Sequence, residues 1–358
     1  MEPINIMTSC DENYAKFIMP QLVSIQKNSY GRQFNFYLFH YRVTPETVGL
    51  LTTFCADNCP NITFYEVVVK QDDIKSYLRI GEFGNSARWP IEAYFWMRPQ
   101  DYLPADAQRV VYMDAADVIF DGDISPYYFD DFEEKSLLAP QIWLRTKGVN
   151  EPRPYVPEDL EYLIKESEGA ICSGFFVMNL EKLRRLNYTL ADYEFLVKKI
   201  VELRSHFHGD QPVLSAAFAG DIKHYGYPEE TDRFYAPYHF DTSNWFQKPG
   251  LSVSYKPVVY HYAMQAKPWI IKFTDEYVQS MTSLPIWDRS QRHLSSYAPL
   301  MWGITQQHAK SCELWWEACK ETPIYNECLT AAKQSTHLFL TYYLDTYNRY
   351  NKLNRLWS

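Results

Sequence analysis

The sequence lacks several features that would place it in common protein classes. Its seven cysteines form no CxxC pair, no GxGxxG follows the first predicted strand, and only 13 of 358 residues are glycine. No uninterrupted apolar stretch reaches about 18 residues, and no positively charged segment leads into an apolar run at the start. These absences argue against a Rossmann dehydrogenase and a membrane-spanning protein, and kinase and hydrolase motifs are also missing.

The charge and the cysteines narrow the class further. A formal net charge of -9 disfavours nonspecific attraction to nucleic-acid phosphates, so we expect no nucleic-acid partner. An odd number of cysteines without paired spacing is typical of reduced thiols in a cytosolic protein. Cys55 and Cys59 have a spacing that could suit a metal, but no second thiol pair or nearby histidine completes a zinc site.

The first 130 residues alternate between strand and helix patterns. Strands are predicted at "PINIM", "FNFYLFHY", "NITFYEV" and "RVVYM", with helices at "AKFIMPQLVSIQKNS", "TPETVGLLTTFCADN" and "PIEAYFWMRPQDYLP" between them. This rhythm predicts an α/β fold with a mostly parallel central sheet. In such sheets ligands bind beyond the carboxyl ends of the strands, where "TSCDENY" and an acidic stretch both lie.

That acidic stretch, "VVYMDAADVIFDGDI", covers residues 110–124 and carries four aspartates within ten positions. A solvated acidic turn is one interpretation, and a divalent cation holding a phosphorylated substrate is the other. Downstream, "KPVVYHYAMQAKPW" is a strand pattern ending in His261, with Lys267 six positions later. Imidazole and carboxylates together suit Mn²⁺, and a lysine can hold a phosphate as a point charge.

Five short blocks, in order, resemble the family 8 glycosyltransferases, retaining nucleotide-sugar enzymes that include glycogenin and bacterial lipooligosaccharide galactosyl- and glucosyltransferases. The resemblance covers residues 3 to about 275. The blocks are "CDENYA", "EAYFWMRPQDYLP" followed by "RVVYMDAADVIFDGDI", "CSGFFVMNL", "HGDQPVLSAAFAG" and "HYAMQAKPW". Each block alone is weak evidence, whereas five blocks in the family's order are strong evidence.

The resemblance implies a role for each of twelve residues. It implies metal ligands at Asp114, Asp117 and His261, and catalytic residues at Asp210 and Gln211. It further implies nucleotide-sugar contacts at Asp11, Asn13, Tyr14, Trp96, Asp114, Cys172, Ser173 and Lys267. The implied fold is a single Rossmann-like nucleotide-sugar-binding domain of the GT-A type over residues 1–281, with a C-terminal helical extension over 282–358.

The implied activity is metal-dependent and retaining. With Mn²⁺ or Mg²⁺ bound, a hexose, glucose or galactose, would pass from a UDP-sugar to a glycan, a lipid-linked saccharide (a glycolipid) or a glycoprotein, forming an α-linkage. The aromatic content of 17% suits stacking on sugars. The alternative is a catalytically silent subunit of a glycosylation complex that binds a nucleotide sugar or only keeps the fold.

The chain departs from the family pattern in ways that motivate this alternative. Two residues, Ala115 and Ala116, separate the aspartates where the family has one. Residues three apart in a strand point to opposite faces, so both aspartates can bind one cation only if the backbone turns between them. Trp96 replaces the usual Arg, Cys172 an Asn, and Met264 a Gly. Arg88 and Arg98 are near enough in sequence for one to replace the missing cation.

Localisation rests on weaker grounds. We expect a cytoplasmic protein, with peripheral attachment at the inner face of the membrane as an option. The last segment mixes aromatic residues with Arg349, Lys352 and Arg355, so it could lie on an anionic membrane surface. Packing of this segment against the catalytic core is the alternative that we favour.

Overall fold

A computed structural model describes most of the N-terminal two thirds of the chain and part of the C-terminal third. The described residues are 2–83, 90–142, 170–171, 173–204, 209–225, 235–237, 258–262, 267–269 and 306–334. Residues 145–168, for which the sequence predicts a loop and a surface helix, lie outside these ranges. The final basic segment and Arg88, Cys172 and Met264 also lie outside them.

Eleven strands lie in the described ranges, and we number them β1 to β11. They are Ile4–Ser9, Phe34–His40, Ile62–Val68, Arg109–Met113, Val118–Phe120, Leu137–Ile142, Ala170–Ile171, Phe175–Asn179, Ile222–Tyr225, Tyr235–Pro237 and Val259–His261. Eight of them form a sheet in the order β3-β2-β1-β4-β8-β6-β7, with β9 also pairing with β6. All except β8 and β7 run in one direction, so the expected mostly parallel central sheet is confirmed.

Besides helical residues 325–334, the described ranges contain nine α-helices, α1 to α9. They are Glu12–Ala15, Ile18–Lys27, Pro45–Asn58, Gln71–Phe83, Ser125–Tyr128, Leu180–Leu186, Leu190–Arg204, Gln211–Ala217 and Gln306–Cys319. The local sequence explains their starts. Thr44 caps α3 by accepting from the backbone N–H of Thr47, and Pro45 occupies the first turn, where no N–H is needed. Pro20 is tolerated in the first turn of α2 for the same reason.

The segment "PIEAYFWMRPQDYLP" is helical, but not as one α-helix. It forms two 3₁₀ segments, Ile91–Met97 and Pro99–Asp101. Pro99 has no backbone N–H and therefore interrupts an α-helical hydrogen-bond ladder. The side chains of Tyr94, Phe95 and Trp96 are all buried here, so packing against the sheet outweighs helix regularity.

A second, three-stranded sheet has the order β10-β11-β5. In it β11 runs antiparallel to β5, so that His261 is opposite Val118. Because β5 follows β4 after a short turn, this sheet brings the histidine-bearing strand to the carboxyl end of β4.

The chain divides into two compact units. One comprises residues 1–237 and 245–261, and the other comprises 238–244 and 262–358. The predicted C-terminal helical pattern is confirmed by α9 and by helical residues 325–334. In that unit Trp315 is fully buried and packs against Trp316 and Trp269. The expected boundary after residue 281 stays a prediction. Among the described residues, no helix combines the length and apolar character needed to span a bilayer.

Candidate active site

Two of the four aspartates of the acidic stretch, Asp114 and Asp117, lie at the ends of a turn between β4 and β5. Asp114 directly follows β4, residues 115–117 form the turn, and β5 begins at Val118. The backbone N–H of Asp114 donates to the carbonyl of Gly174 at 3.0 Å, which extends the antiparallel pairing of β4 with β8. Asp114 therefore lies at the carboxyl end of β4, beside the carboxyl end of its parallel neighbour β1.

His261 reaches the same place from the small sheet. Its Nε2 lies 3.1 Å from Oδ2 of Asp114. Asp114, Asp117 and His261 each offer a ligand atom, and these atoms all lie within 4.8 Å of one another. Neither Asp121 nor Asp123 belongs to this group in the described part of the chain, so only half of the acidic stretch contributes to it.

These three side chains fit a divalent cation. Two carboxylates and one imidazole form a donor set suited to Mn²⁺. Asp117 and His261 are almost fully buried, whereas Asp114 keeps 37% of its side-chain surface exposed. A cation here would have protein ligands on one side and an open approach on the other, as a catalytic site needs for its substrate.

The extra residue between the aspartates is accommodated by a left-handed backbone. Ala116 has φ +70° and is completely buried. This conformation costs a non-glycine residue about 1–2 kcal/mol, and the small alanine side chain keeps further crowding low. The turn that the spacing of the aspartates requires is therefore present, and it brings Asp114 and Asp117 to one side.

Gly174 makes room for the imidazole, a requirement that the sequence motif alone did not reveal. A Cβ at this position would lie 2.0 Å from Cε1 of His261 and 2.7 Å from its Nε2. Real Cβ contacts are never that short, so only glycine allows the observed ring position. The usable sequence clue is the Ser-Gly pair in "CSGFFVMNL".

Tyr112 was also missed by sequence reasoning. It precedes Asp114 by two positions on β4, so its side chain is on the same face. Its hydroxyl donates to Oδ1 of Asp114 at 3.4 Å, and its ring stacks on Phe176 at 5.0 Å. Burial, followed by the charge of Asp114, raises the pKa of Tyr112, which therefore stays a hydrogen-bond donor to this carboxylate at neutral pH.

Asp210 lies at the start of α8, and its carboxylate is held by two side chains. Trp96 donates its indole N–H to Oδ2 at 2.8 Å, and Ser173 donates its hydroxyl to Oδ1 at 3.0 Å. Edge-to-face contacts with Phe176 and Tyr193 fix the Trp96 ring. Burial, followed by the charge of Asp114, raises the pKa of Asp210 to about 7, since these neutral donors offset only part of the cost of ionisation.

The sequence matches a known protein family. The model of glycosyl transferase family 8 matches residues 5–271. The chain belongs to glycosyltransferase family 8.

Solved structures agree on the GT-A fold. The galactosyltransferase LgtC, solved with donor and acceptor sugar analogues, aligns with a TM-score of 0.55 and 19% identity over 81% of this chain and 99% of its own. The bifunctional glycosyltransferase WbbM gives 0.60 and 15% over 92% of this chain and 51% of its own. GlyE of Streptococcus pneumoniae TIGR4 gives 0.52 and 16% over 92% and 63%. No curated protein sequence matches the chain significantly.

Three of the residues that the family 8 resemblance assigns to the nucleotide sugar, Asp11, Asn13 and Tyr14, lie beyond the end of β1. Asp11 caps α1, and its carboxylate accepts from the backbone N–H of Tyr14 at 3.2 Å and from the Asn13 amide at 3.0 Å. Asn13 and Tyr14 are exposed. Because β1 and β4 are parallel neighbours, these residues and Asp114 are at the same edge of the sheet.

The remaining residues of the family 8 pattern are placed less completely. Gln211 is the first residue of α8, directly after Asp210. Lys267 belongs to the second compact unit, where its ammonium donates to the carbonyl of Tyr262 at 2.9 Å. The expected sugar contact of Cys172 lies outside the described residues. The roles of all twelve residues that the family 8 resemblance assigns stay predictions.

Arg98 does not replace the cation that Trp96 removes. Its guanidinium donates to Asp101 at 2.6 Å and to the carbonyl of Tyr188. Among the residues that the structure describes, the carboxylate of Asp210 is hydrogen-bonded by a neutral indole and a neutral hydroxyl.

Proposed function

We propose that this family 8 member is a metal-dependent retaining hexosyltransferase. It takes glucose or galactose from a UDP-sugar and attaches it in α-linkage to a glycan, a lipid-linked saccharide or a glycoprotein. The observation that carries the proposal is the convergence of Asp114, Asp117 and His261 within 4.8 Å, at the sheet edge where the nucleotide-binding residues are expected.

The chemistry explains why such side chains are needed. Breaking the bond between the anomeric carbon and the diphosphate leaves negative charge on the departing UDP. Asp114, Asp117 and His261 would hold a divalent cation, which would supply positive charge there without any proton transfer. Lys267 is expected to hold the same diphosphate as a point charge.

Asp210 and Gln211 are expected on the sugar side of the reaction. The anomeric centre becomes oxocarbenium-like, and a nearby carboxylate or amide oxygen stabilises that charge. Trp96 and Ser173 fix the position of the Asp210 carboxylate. If Gln211 is the nearest group, retention follows from same-face attack on a short-lived ion pair, because an amide is a poor nucleophile.

One observation favours the alternative, a silent protein that binds a nucleotide sugar. Trp96 gives Asp210 a neutral partner, and the pKa of Asp210 is about 7. This raised pKa favours the neutral form of Asp210 in the metal-free protein, and a neutral carboxyl stabilises positive charge on the sugar less well.

A donor-hydrolysis assay separates these functions. The purified protein is given Mn²⁺ and a panel of UDP-sugars, and released UDP is measured. Slow hydrolysis of one UDP-hexose, lost in Asp114→Asn, supports the transferase. Asp123→Asn is the matched control, because Asp123 belongs to the same acidic stretch but accepts only from the N–H of Ser125 among the described contacts.

The other outcomes decide between the alternatives. Tight, metal-dependent UDP binding without hydrolysis supports the silent protein. Neither binding nor hydrolysis would leave only a scaffold. An acceptor-library screen read by mass spectrometry would then identify the acceptor of an active enzyme.

A further inference from the structure

The turn that carries the two aspartates is held by one side chain from a distant helix. Gln21 lies on α2, about 95 positions before the turn in sequence, and it is completely buried. Its Nε2 donates to the carbonyls of Asp114 at 2.9 Å and Val118 at 3.1 Å. Its Oε1 accepts from the N–H of Ala116 at 3.3 Å. The amide thus bonds to the first residue of this segment, to its strained residue and to the residue after Asp117.

The same helix face also holds the strand that follows the turn. Ser24 accepts from the N–H of Phe120 at 3.2 Å, and Asn28 donates to the carbonyl of Phe120 at 2.8 Å. Gln21 and Ser24 are spaced i and i+3 on one face of α2, and Asn28 is the residue that caps the end of this helix. This polar face satisfies backbone groups of the turn and of β5, while β11 pairs with β5 as its strand partner.

Gln21 differs from Ser24 and Asn28 because its hydrogen-bond partners lie in and beside the turn that carries Asp114 and Asp117. With one residue more than the family pattern, this turn needs a left-handed Ala116, a conformation that alanine adopts at a cost. Buried backbone groups must find hydrogen-bond partners, and the Gln21 amide bonds to three such groups in this segment. Without this amide these hydrogen bonds are lost, and the strained turn has a reason to relax and to change the directions of Asp114 and Asp117.

We propose that Gln21 is a positioning residue for the metal centre. It fixes the lengthened turn so that both Asp114 and Asp117 face one cation. This inference rests on the proposed function. Gln21 itself does not touch the cation. Outer-shell partners of metal ligands commonly change metal affinity by about 10–100-fold when they are lost.

The test compares Gln21 with the residue that caps the same helix. Gln21→Met keeps the side-chain length and removes all three hydrogen bonds. Asn28→Leu is the matched control, since it removes side-chain hydrogen bonds at the C-terminal end of α2, to Ser24 and to the end of β5 away from the turn. The dissociation constant of Mn²⁺ is measured by electron paramagnetic resonance, without donor and again with saturating UDP, and unfolding temperatures are recorded for both variants.

We expect Gln21→Met to weaken Mn²⁺ binding by about tenfold or more, and Asn28→Leu to leave it within about twofold although both variants lose stability. Adding Ala116→Gly to Gln21→Met should restore part of the affinity, since glycine adopts positive φ freely. If Gln21→Met does not fold, Gln21→Glu keeps the acceptor for Ala116 and removes at least one of the two donated bonds, because a neutral carboxyl has one proton to donate, and a smaller weakening is expected.

Unchanged Mn²⁺ affinity in a folded Gln21 variant would overturn the inference, as would an equal loss in Asn28→Leu. Failure of the proposed function is distinguishable, because it is measured as absent UDP-sugar hydrolysis by the unaltered protein, whereas this inference is measured as a change in Mn²⁺ affinity between variants.

Discussion

Replacing Gly174 by Ala should disable the metal centre through a single added methyl group. The backbone of Gly174 is not in the left-handed region, so alanine is conformationally acceptable there. The added Cβ would nevertheless lie 2.0 Å from Cε1 of His261, where contacts below 3.4 Å are already tight. The imidazole must therefore move by about 1.4 Å.

A displacement of that size exceeds what a coordination bond allows. Metal–ligand distances tolerate only about 0.2 Å, so the imidazole would cease to be a ligand. His261 is 2% exposed and has little free space in which to adjust. We expect Mn²⁺ to bind about 10–100-fold more weakly, which corresponds to about 1.4–2.8 kcal/mol.

The assay is a Mn²⁺ titration of purified Gly174→Ala beside His261→Ala and the unaltered protein. Gly49→Ala is the control glycine substitution, because nothing lies within 4 Å of its added Cβ on α3. Alanine within a helix should raise the free energy of unfolding by about 0.5–1 kcal/mol and leave Mn²⁺ binding unchanged. A Gly174→Ala protein that folds and binds Mn²⁺ as tightly as the unaltered protein would refute the steric argument.

Three further predictions concern the carboxylates. Asp117→Asn should weaken Mn²⁺ binding by about tenfold or more; unchanged affinity would leave Asp114 and His261 as the ligands. The pKa of Asp210 is raised to about 7 in the metal-free fold. The unfolded chain therefore releases this proton at a lower pH than the folded protein does, and the free energy of unfolding falls as the pH rises towards 7. The stability advantage of Asp210→Asn over the unaltered protein should therefore widen by about 2 kcal/mol between pH 5 and pH 8; a constant advantage in urea unfolding would contradict this. Trp96→Phe removes the N–H donor to Asp210 and should lower the free energy of unfolding by about 1.5–3 kcal/mol at pH 8, and by less at pH 5. Tyr94→Phe is its control, since the buried Tyr94 hydroxyl makes no hydrogen bond among the described residues. Equal losses of stability in the two variants would argue against the indole contact.

Much of the fold could be predicted because the relevant signals are local. Apolar periodicity located the first strands, and Thr44 with Pro45 indicated the start of α3. The 3₁₀ form of Ile91–Met97 could not be predicted in this way, because burial of three consecutive aromatic side chains against the sheet decides it. Periodicity describes which face is buried, whereas the helix type here depends on tertiary packing.

The convergence of Asp114, Asp117 and His261 could be predicted from the sequence, but the contacts that support it could not. Spacing alone required a turn between Asp114 and Asp117, and the left-handed Ala116 provides it. The fixing of that turn by Gln21 depends on a contact across about 95 residues, which no local pattern contains. Gln21 looks like an ordinary polar residue in an amphipathic helix until its three backbone partners are known.

Trp96 shows a related limit. The sequence correctly indicates the loss of a cation where the family usually has Arg. It does not reveal that the indole still donates a hydrogen bond to Asp210. Residue type gives the charge of a side chain, but the direction of the side chain follows from its neighbours, here Phe176 and Tyr193.

The most direct measurement is a crystal structure with Mn²⁺ and UDP, recorded to locate the anomalous scattering of manganese. We expect one peak within coordination distance of Asp114, Asp117 and His261 at the same time, with the diphosphate on the exposed side of Asp114. A manganese peak elsewhere, or one that only one of these three residues contacts, would contradict the proposed metal centre.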